Sequence, residues 1–158
     1  MIEEKIQLSD KIIVCTRADG SVSITQLVHD DIDIDAEVLK ITAADPDLTF
    51  RFNTTLSDTG VAINFFYGAL ALDEDDNIAY DMSKARNIWK DIMRNARSPK
   101  LADLDIQYQI ADEAGNTSLK ETIVANKNIL RDCTSNPDIE SAQSLNDLRR
   151  TLPDLLED

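Results

Sequence analysis

Two acidic clusters hold the residue types best suited to chemistry in this chain. Asp30, Asp31, Asp33 and Asp35 are four acids within six residues, and carboxylates alternating along an extended segment could gather on one side around a hard cation. No glycine turn and no convergent second group can be placed beside them, whereas a helix start explains them simply. Asp33 or Asp35 can cap a helix over residues 36–40, where early acids also suit the helix dipole. Asp73, Glu74, Asp75 and Asp76 form the second cluster and invite comparison with a calcium loop. Counted from Asp73, Ile78 stands where that loop needs glycine and Lys84 where it needs a bidentate glutamate, so the comparison fails. His29 is the single histidine and has neither a second histidine nor a nearby cysteine to complete a zinc site or a nucleophile pair. A metal-dependent hydrolase built on these acids is therefore the least supported reading. No catalytic, metal-ligating or cofactor-binding residue is assigned, and the expectation is a non-enzymatic protein without a cofactor.

The clearest structural signal lies in residues 81–132. Met82, Ala85, Ile88/Trp89, Ile92/Met93, Ala96, Leu101, Leu104, Tyr108 and Ala111 recur mostly at steps of three and four, the spacing of one helical stripe. Gly115-Asn116-Thr117 supplies a stop and a new cap, after which Leu119, Ile123, Lys127/Ile129 and Leu130 resume the period. The two stripes predict an antiparallel helical hairpin. Asp81 is placed to cap its first helix, and Ser98-Pro99 predicts a kink or break in mid-course, because proline lacks the backbone donor. Beyond Asp132, a turn at Asn136-Pro137-Asp138, one or two short helices over 139–152 and a polar tail are expected.

The first 80 residues read differently. Ile12 to Thr16 is apolar on both faces, Ala18-Asp19-Gly20 breaks it, and Val22 and Ile24 alternate with hydroxyls, which predicts a β-hairpin turning at Asp19-Gly20. Leu48 to Phe52 reads as a short strand and Asn53 to Gly60 as a polar loop. The run from Val61 to Tyr67, with Ala69 to Leu72, is either a buried strand pair or a strand leading into a bend at Gly68. Its aromatics Phe65, Phe66 and Tyr67 are core, or alternatively an exposed partner-binding patch. Asp73 to Asn77 is a hairpin turn or solvated loop before a short strand, Ile78 to Tyr80. The fold class expected is α+β: a small acidic β-rich domain over 1–80 with an antiparallel sheet, a helical hairpin over 81–132, and short helices with a polar tail over 133–158.

Charge divides the chain along the same line. Residues 1–81 hold 17 acids and 5 bases, for −12, while residues 82–158 hold 13 and 11, for −2. Lys84, Arg86, Lys90, Arg94, Arg97 and Lys100 meet one acid, Asp91, between positions 84 and 100. An acidic front and a basic helix can dock on one another or meet different partners, or the helix can simply carry a solvated face. Cys15 and Cys133 are far apart in a chain with no secretory pattern at its start, so free buried thiols are expected. No run approaches the ~18 apolar residues of a membrane span, which places the expected protein in the cytosol of the cell that makes it.

Two stretches together resemble a known family. Ile12-Ile13-Val14-Cys15-Thr16-Arg17-Ala18-Asp19-Gly20-Ser21-Val22-Ser23-Ile24 resembles the opening of a family of small tailed-phage and prophage proteins. Asp81-Met82-Ser83-Lys84-Ala85-Arg86, then Arg94 to Asp105 (RNARSPKLADLD), then Lys127-Asn128-Ile129-Leu130-Arg131-Asp132 with Pro137 beyond, is similar to that family's helical pattern and to the C-terminal segment of phage tail assembly chaperones and tail-fibre assembly proteins. The match covers the second half of the chain well and the first half through the hairpin. Asp105-Ile106 stands where those proteins commonly carry Asp-Trp.

The resemblance implies a protein that works by binding, either as a virion component at the tail, head-tail junction or fibre attachment, or as a tail assembly chaperone. Its partners would be phage virion proteins within an oligomeric assembly, with no membrane and no nucleic acid, in the host cytoplasm during assembly or in the virion itself. Arg86, Arg94, Arg97 and Lys100, with Phe65, Phe66 and Tyr67, are the candidate partner-binding residues. Lys84 and Arg131 would share in setting helix pairing and contact, through carboxylates such as Asp105 and Asp132 that arginine can meet in bidentate fashion. Intramolecular pairing is favoured for Arg131 and Asp132, and partner contact for Arg94 and Arg97. A second class of function also fits the composition: an acidic phage protein that mimics nucleic acid, or binds a host regulator or defence protein, through its −12 half.

Overall fold

The computed structural model describes residues 8–59 and 65–157. The chain forms an α+β protein of two compact units, Met1–Asp81 and Met82–Asp158.

The first unit is built around β1 (Lys11–Thr16), the central strand of an antiparallel sheet ordered β2-β1-β3 with β2 (Val22–Gln26) and β3 (Thr49–Thr55). β1 is central because Ile12, Ile13, Val14 and Cys15 are all buried, so it needs cover on both faces. One face, with Ile13 and Cys15, packs with Leu27 and Leu48 against Val38 and Ile41 of α1 (Ile34–Ala44). The other, with Ile12, Val14, Val22 and Ile24, meets Leu70 and Ile78. Those last two come from a second antiparallel pair, β4 (Leu70–Leu72) and β5 (Ile78–Tyr80). The turn between β1 and β2 lies at Asp19-Gly20 as expected, with Gly20 at φ +79 and the Asp19 carboxylate accepting from Ser21 N–H at 2.9 Å.

Two acidic stretches fold the backbone here. Asp33 caps α1, its Oδ1 accepting from Ala36 N–H at 3.2 Å. Asp73 shapes the β4–β5 turn, its Oδ1 accepting from Asp75 N–H at 2.9 Å and Asn77 N–H at 2.8 Å, which holds its carboxyl below the usual range.

The polar stretch expected as a loop from Asn53 is not one at its start. Asn53, Thr54 and Thr55 belong to β3, paired with Ile13, Ile12 and Lys11, and Leu56–Thr59 forms a single turn of helix, α2. Threonine suits a strand, so pairing with β1 overrides the polarity that suggested a loop. Of the apolar run after it, residues 61–64 lie outside the described residues; Tyr67–Ala69 is a turn of 3-10 helix leading into β4.

In the second unit, α3 (Met82–Glu113) and α4 (Thr117–Asp132) form the expected hairpin. Gly115 at φ +67 ends the first helix and Asn116 caps the second, accepting from Leu119 N–H at 3.1 Å. The break anticipated at Ser98-Pro99 is absent: α3 runs uninterrupted through Pro99. Pro99 is exposed, so water can meet the carbonyl its missing N–H leaves unpaired, and packing of α3 on both sides of it holds the helix together. Two short helices follow, α5 (Pro137–Ser141) and α6 (Leu145–Arg149), each with a side-chain cap, from Asn136 and Ser144. They fold back on the first part of α3, where Ala85, Trp89, Met93, Ile139, Ala142 and Leu148 are buried. Both cysteines are free and buried, as expected.

Candidate protein-binding surface

The hairpin is anchored at one end and bare at the other. At the anchored end, Trp89 Nε1 donates to Thr151 Oγ1 at 2.9 Å, Arg86 Nη2 donates to the Ala142 carbonyl at 2.9 Å, and Lys90 pairs with Glu140, whose carboxyl is held below its usual range by that bond. Thr151 in turn donates to the Leu148 carbonyl at 2.7 Å.

Towards the Gly115 turn, two helices alone must bury one another. Ala111 and Ile123 are the buried apolar residues of this stretch, and polar links supplement them. Lys127, itself 8% exposed, reaches Asp105 at 2.6 Å and lies over the Tyr108 ring; Lys120 pairs with Asp112 at 2.7 Å. Asp105 is consequently held below the usual carboxylate range by Lys127, and Lys120 above the usual amine range by Asp112.

This leaves apolar side chains in solvent. Ile106 is 57% exposed, Ile110 60%, Leu119 43%, Val124 42% and Ile129 50%. Val124 and Tyr108, with Thr117, Lys120 and Glu121, line a shallow groove of about 330 Å³ along one side of the pair. A two-helix arm that exposes this much aliphatic surface has chemistry suited to gripping another protein.

The residues singled out from sequence divide among several roles. Arg97 Nη1 donates to the carbonyls of Leu130 at 3.2 Å and Arg131 at 2.8 Å, closing the C-terminal end of α4. Arg94 is exposed and pairs with Asp91 one turn away at 2.5 Å. Arg86 is half-buried on Ala142, and its Nε is buried without an acceptor among the described residues. Lys100 is half-buried beside Asp103, Leu104 and Leu130 at a second shallow groove. Among the aromatics, Phe66 is fully buried, Phe65 is 79% exposed, and Tyr67 is half-buried with its hydroxyl bonded to both the N–H and the carbonyl of Ile24. Phe65, Phe66 and Tyr67 therefore do not form one continuous surface.

The helical period identified the hairpin but not its exposed ridge. Trp89 and Met93 are buried in α3 while Ile88 and Ile92 are half-buried, and in α4 Lys127 lies in the seam while Ile129 faces out. Projecting α3 at ~100° per residue would have separated Ile106 and Ile110 from Leu104 and Tyr108, which is the signal that finds the ridge.

Among the described residues, no group of three or more histidine, cysteine, aspartate or glutamate side chains gathers as metal ligands, and no helix is long and apolar enough to cross a membrane. Comparison with protein-family models, curated proteins and solved structures gives no match to this chain.

Proposed function

We propose that this chain is a non-enzymatic tailed-phage protein that acts by protein–protein binding, as a virion component at the tail, head-tail junction or fibre attachment, or as a tail assembly chaperone. The observation that carries the binding reading is the bare end of the hairpin, where Leu119 and Val124 stand in solvent on a two-helix arm, Val124 at the groove it shares with Tyr108. Its other end is fixed by Trp89–Thr151 and Lys90–Glu140, so the arm is presented from a packed base. The phage assignment rests on the resemblance of residues 12–24 and 81–137 to small phage and prophage proteins. Lys120 and Glu121, which line that groove with Val124, supply with the aliphatic side chains a mixed polar and apolar surface of the kind protein partners use.

The test is mass spectrometry of purified particles of the phage that encodes the chain, counting it against the major capsid protein. A fixed, symmetric copy number identifies a virion component; absence from particles together with dependence of infectivity on the gene identifies a chaperone. Particles that lack the chain and lose nothing when its gene is removed overturn the proposal.

A further inference from the structure

We propose that α3 is a self-complementary surface on which a second copy of this chain docks antiparallel, with the two-fold axis at Pro99. The inference stands on this helix alone and does not depend on the phage reading.

The first observation is a second stripe. At ~100° per residue, Ile88, Ile92, Asn95, Pro99, Asp103, Ile106 and Ile110 fall within about 80° of arc, on the side of α3 away from Leu104, Tyr108 and Ala111, which serve the α4 seam. The steps between these stripe residues are threes and fours throughout, the period of a helix–helix seam. Ile106 and Ile110 are 57% and 60% exposed, Pro99 is exposed, and Ile88 and Ile92 are half-buried.

The second observation is the symmetry of that stripe. Ile92 and Ile106 are equidistant in sequence from Pro99, as are Ile88 and Ile110, and Asn95 and Asp103. Two copies of α3 laid antiparallel about Pro99 set Ile88 against Ile110 and Ile92 against Ile106, each twice. Asn95, an amide donor, faces the Asp103 carboxylate. This is the isologous contact that a two-fold dimer requires.

Charge selects the antiparallel arrangement. Residues 84–100 hold six bases and one acid, while residues 101–116 hold four acids and no base. Antiparallel pairing lays each basic half on an acidic half; parallel pairing sets like on like. Asp103 and Glu113 are exposed and make no ion pair among the described residues, so the acidic half keeps charge to offer. At ~100° per residue Lys84 flanks the stripe while Arg86, Lys90, Arg94, Arg97 and Lys100 project more than ~90° from its centre, so the effect of the second copy on those five is a long-range field that salt screens.

The test uses the full chain. Sedimentation equilibrium at low ionic strength should give twice the 17.6 kDa of one chain, with association weakening several-fold as salt is raised. Ile106→Gln with Ile110→Gln, at two exposed positions, should weaken association at least ~10-fold with far-UV circular dichroism unchanged. Geometry is read separately from spin labels on single cysteines introduced at exposed positions beside the stripe, in a chain carrying Cys15→Ala and Cys133→Ala that keeps its far-UV circular dichroism. Ser98→Cys labels should lie close together across the axis, while Gln109→Cys labels should be separated by roughly 30 Å along it. A monomer up to ~100 μM overturns the proposal, as do a dimer indifferent to the double substitution or one with equal separations at both label sites.

Discussion

Lys127 Nζ lies 2.6 Å from Asp105 Oδ1 and 4.9 Å from the centre of the Tyr108 ring, so a lysine occupies the seam of the hairpin where a leucine would ordinarily pack. Its methylenes are buried and its ammonium is met by one carboxylate and one ring face. The two partners are unequally placed: Lys127 is buried, and the Asp105 side chain is 64% exposed. Lys127→Met, which keeps the stem and removes the charge, should therefore change stability by no more than about 1 kcal/mol, because the carboxylate left behind is solvated. Asp105→Asn should lower the melting temperature further than Lys127→Met does, since it strands a buried ammonium. Thermal melts of the two variants side by side decide it, and the reverse order contradicts the reading.

The same pair sets a pH dependence. Asp105 is held below its ordinary range by Lys127, so it releases its proton more readily folded than unfolded. Its contribution is present above the unfolded carboxyl value and is lost as pH falls through the lower, folded one. Asp105→Asn should consequently flatten the acid limb of the stability curve, with the difference from wild type shrinking as the wild-type carboxylate is protonated.

Thr151 joins the last helix to α3 through the single tryptophan. Thr151→Val keeps the shape and removes the acceptor of the Trp89 N–H, which should cost about 1–3 kcal/mol, while Thr151→Ser should restore most of it. Denaturant titration followed by tryptophan fluorescence measures both.

Arg94 and Arg97 stand three residues apart and should behave oppositely. Arg97→Ala takes the guanidinium donor from the Arg131 carbonyl and leaves the Leu130 carbonyl with the Cys133 thiol, and should cost roughly 1–3 kcal/mol. Arg94→Ala loses an exposed one-turn ion pair and should fall within ~0.5 kcal/mol of wild type. Chemical denaturation checks both, and a loss of partner association in Arg94→Ala without a loss of stability would mark that side chain as a binding residue.

In the first unit, Tyr67→Phe removes a hydroxyl that closes on both backbone groups of Ile24. A cost of about 1–3 kcal/mol is expected, with backbone amide exchange at Ile24 accelerated by a matching amount.

How much of this was legible depended on whether the signal was local. The Asp19-Gly20 turn, the Asp33 cap and the Gly115-Asn116 reversal announce themselves in two or three residues, because positive φ and side-chain capping are properties of those residues. The continuity of α3 through Pro99 is not local, since packing far from the proline holds the helix, nor is the recruitment of Asn53–Thr55 into β3, which depends on β1 being there to pair with. The candidate site was half visible. The charged helix could be read, but whether an arginine meets a partner or a carbonyl of its own fold depends on tertiary position, as Arg97 shows. The ridge of Ile106 and Ile110 needs the three-dimensional knowledge that, among the described residues, no third helix covers that end.

The most direct measurement of the central proposal, that this is a phage chain that works by binding virion proteins, is particle assembly after deletion of its gene from a phage genome that carries it. The account predicts particles lacking a tail, connector or fibre protein and a corresponding loss of infectivity, restored by the wild-type chain and restored poorly by a Leu119→Gln, Val124→Gln variant. Normal particles in normal number, with full infectivity, would contradict it.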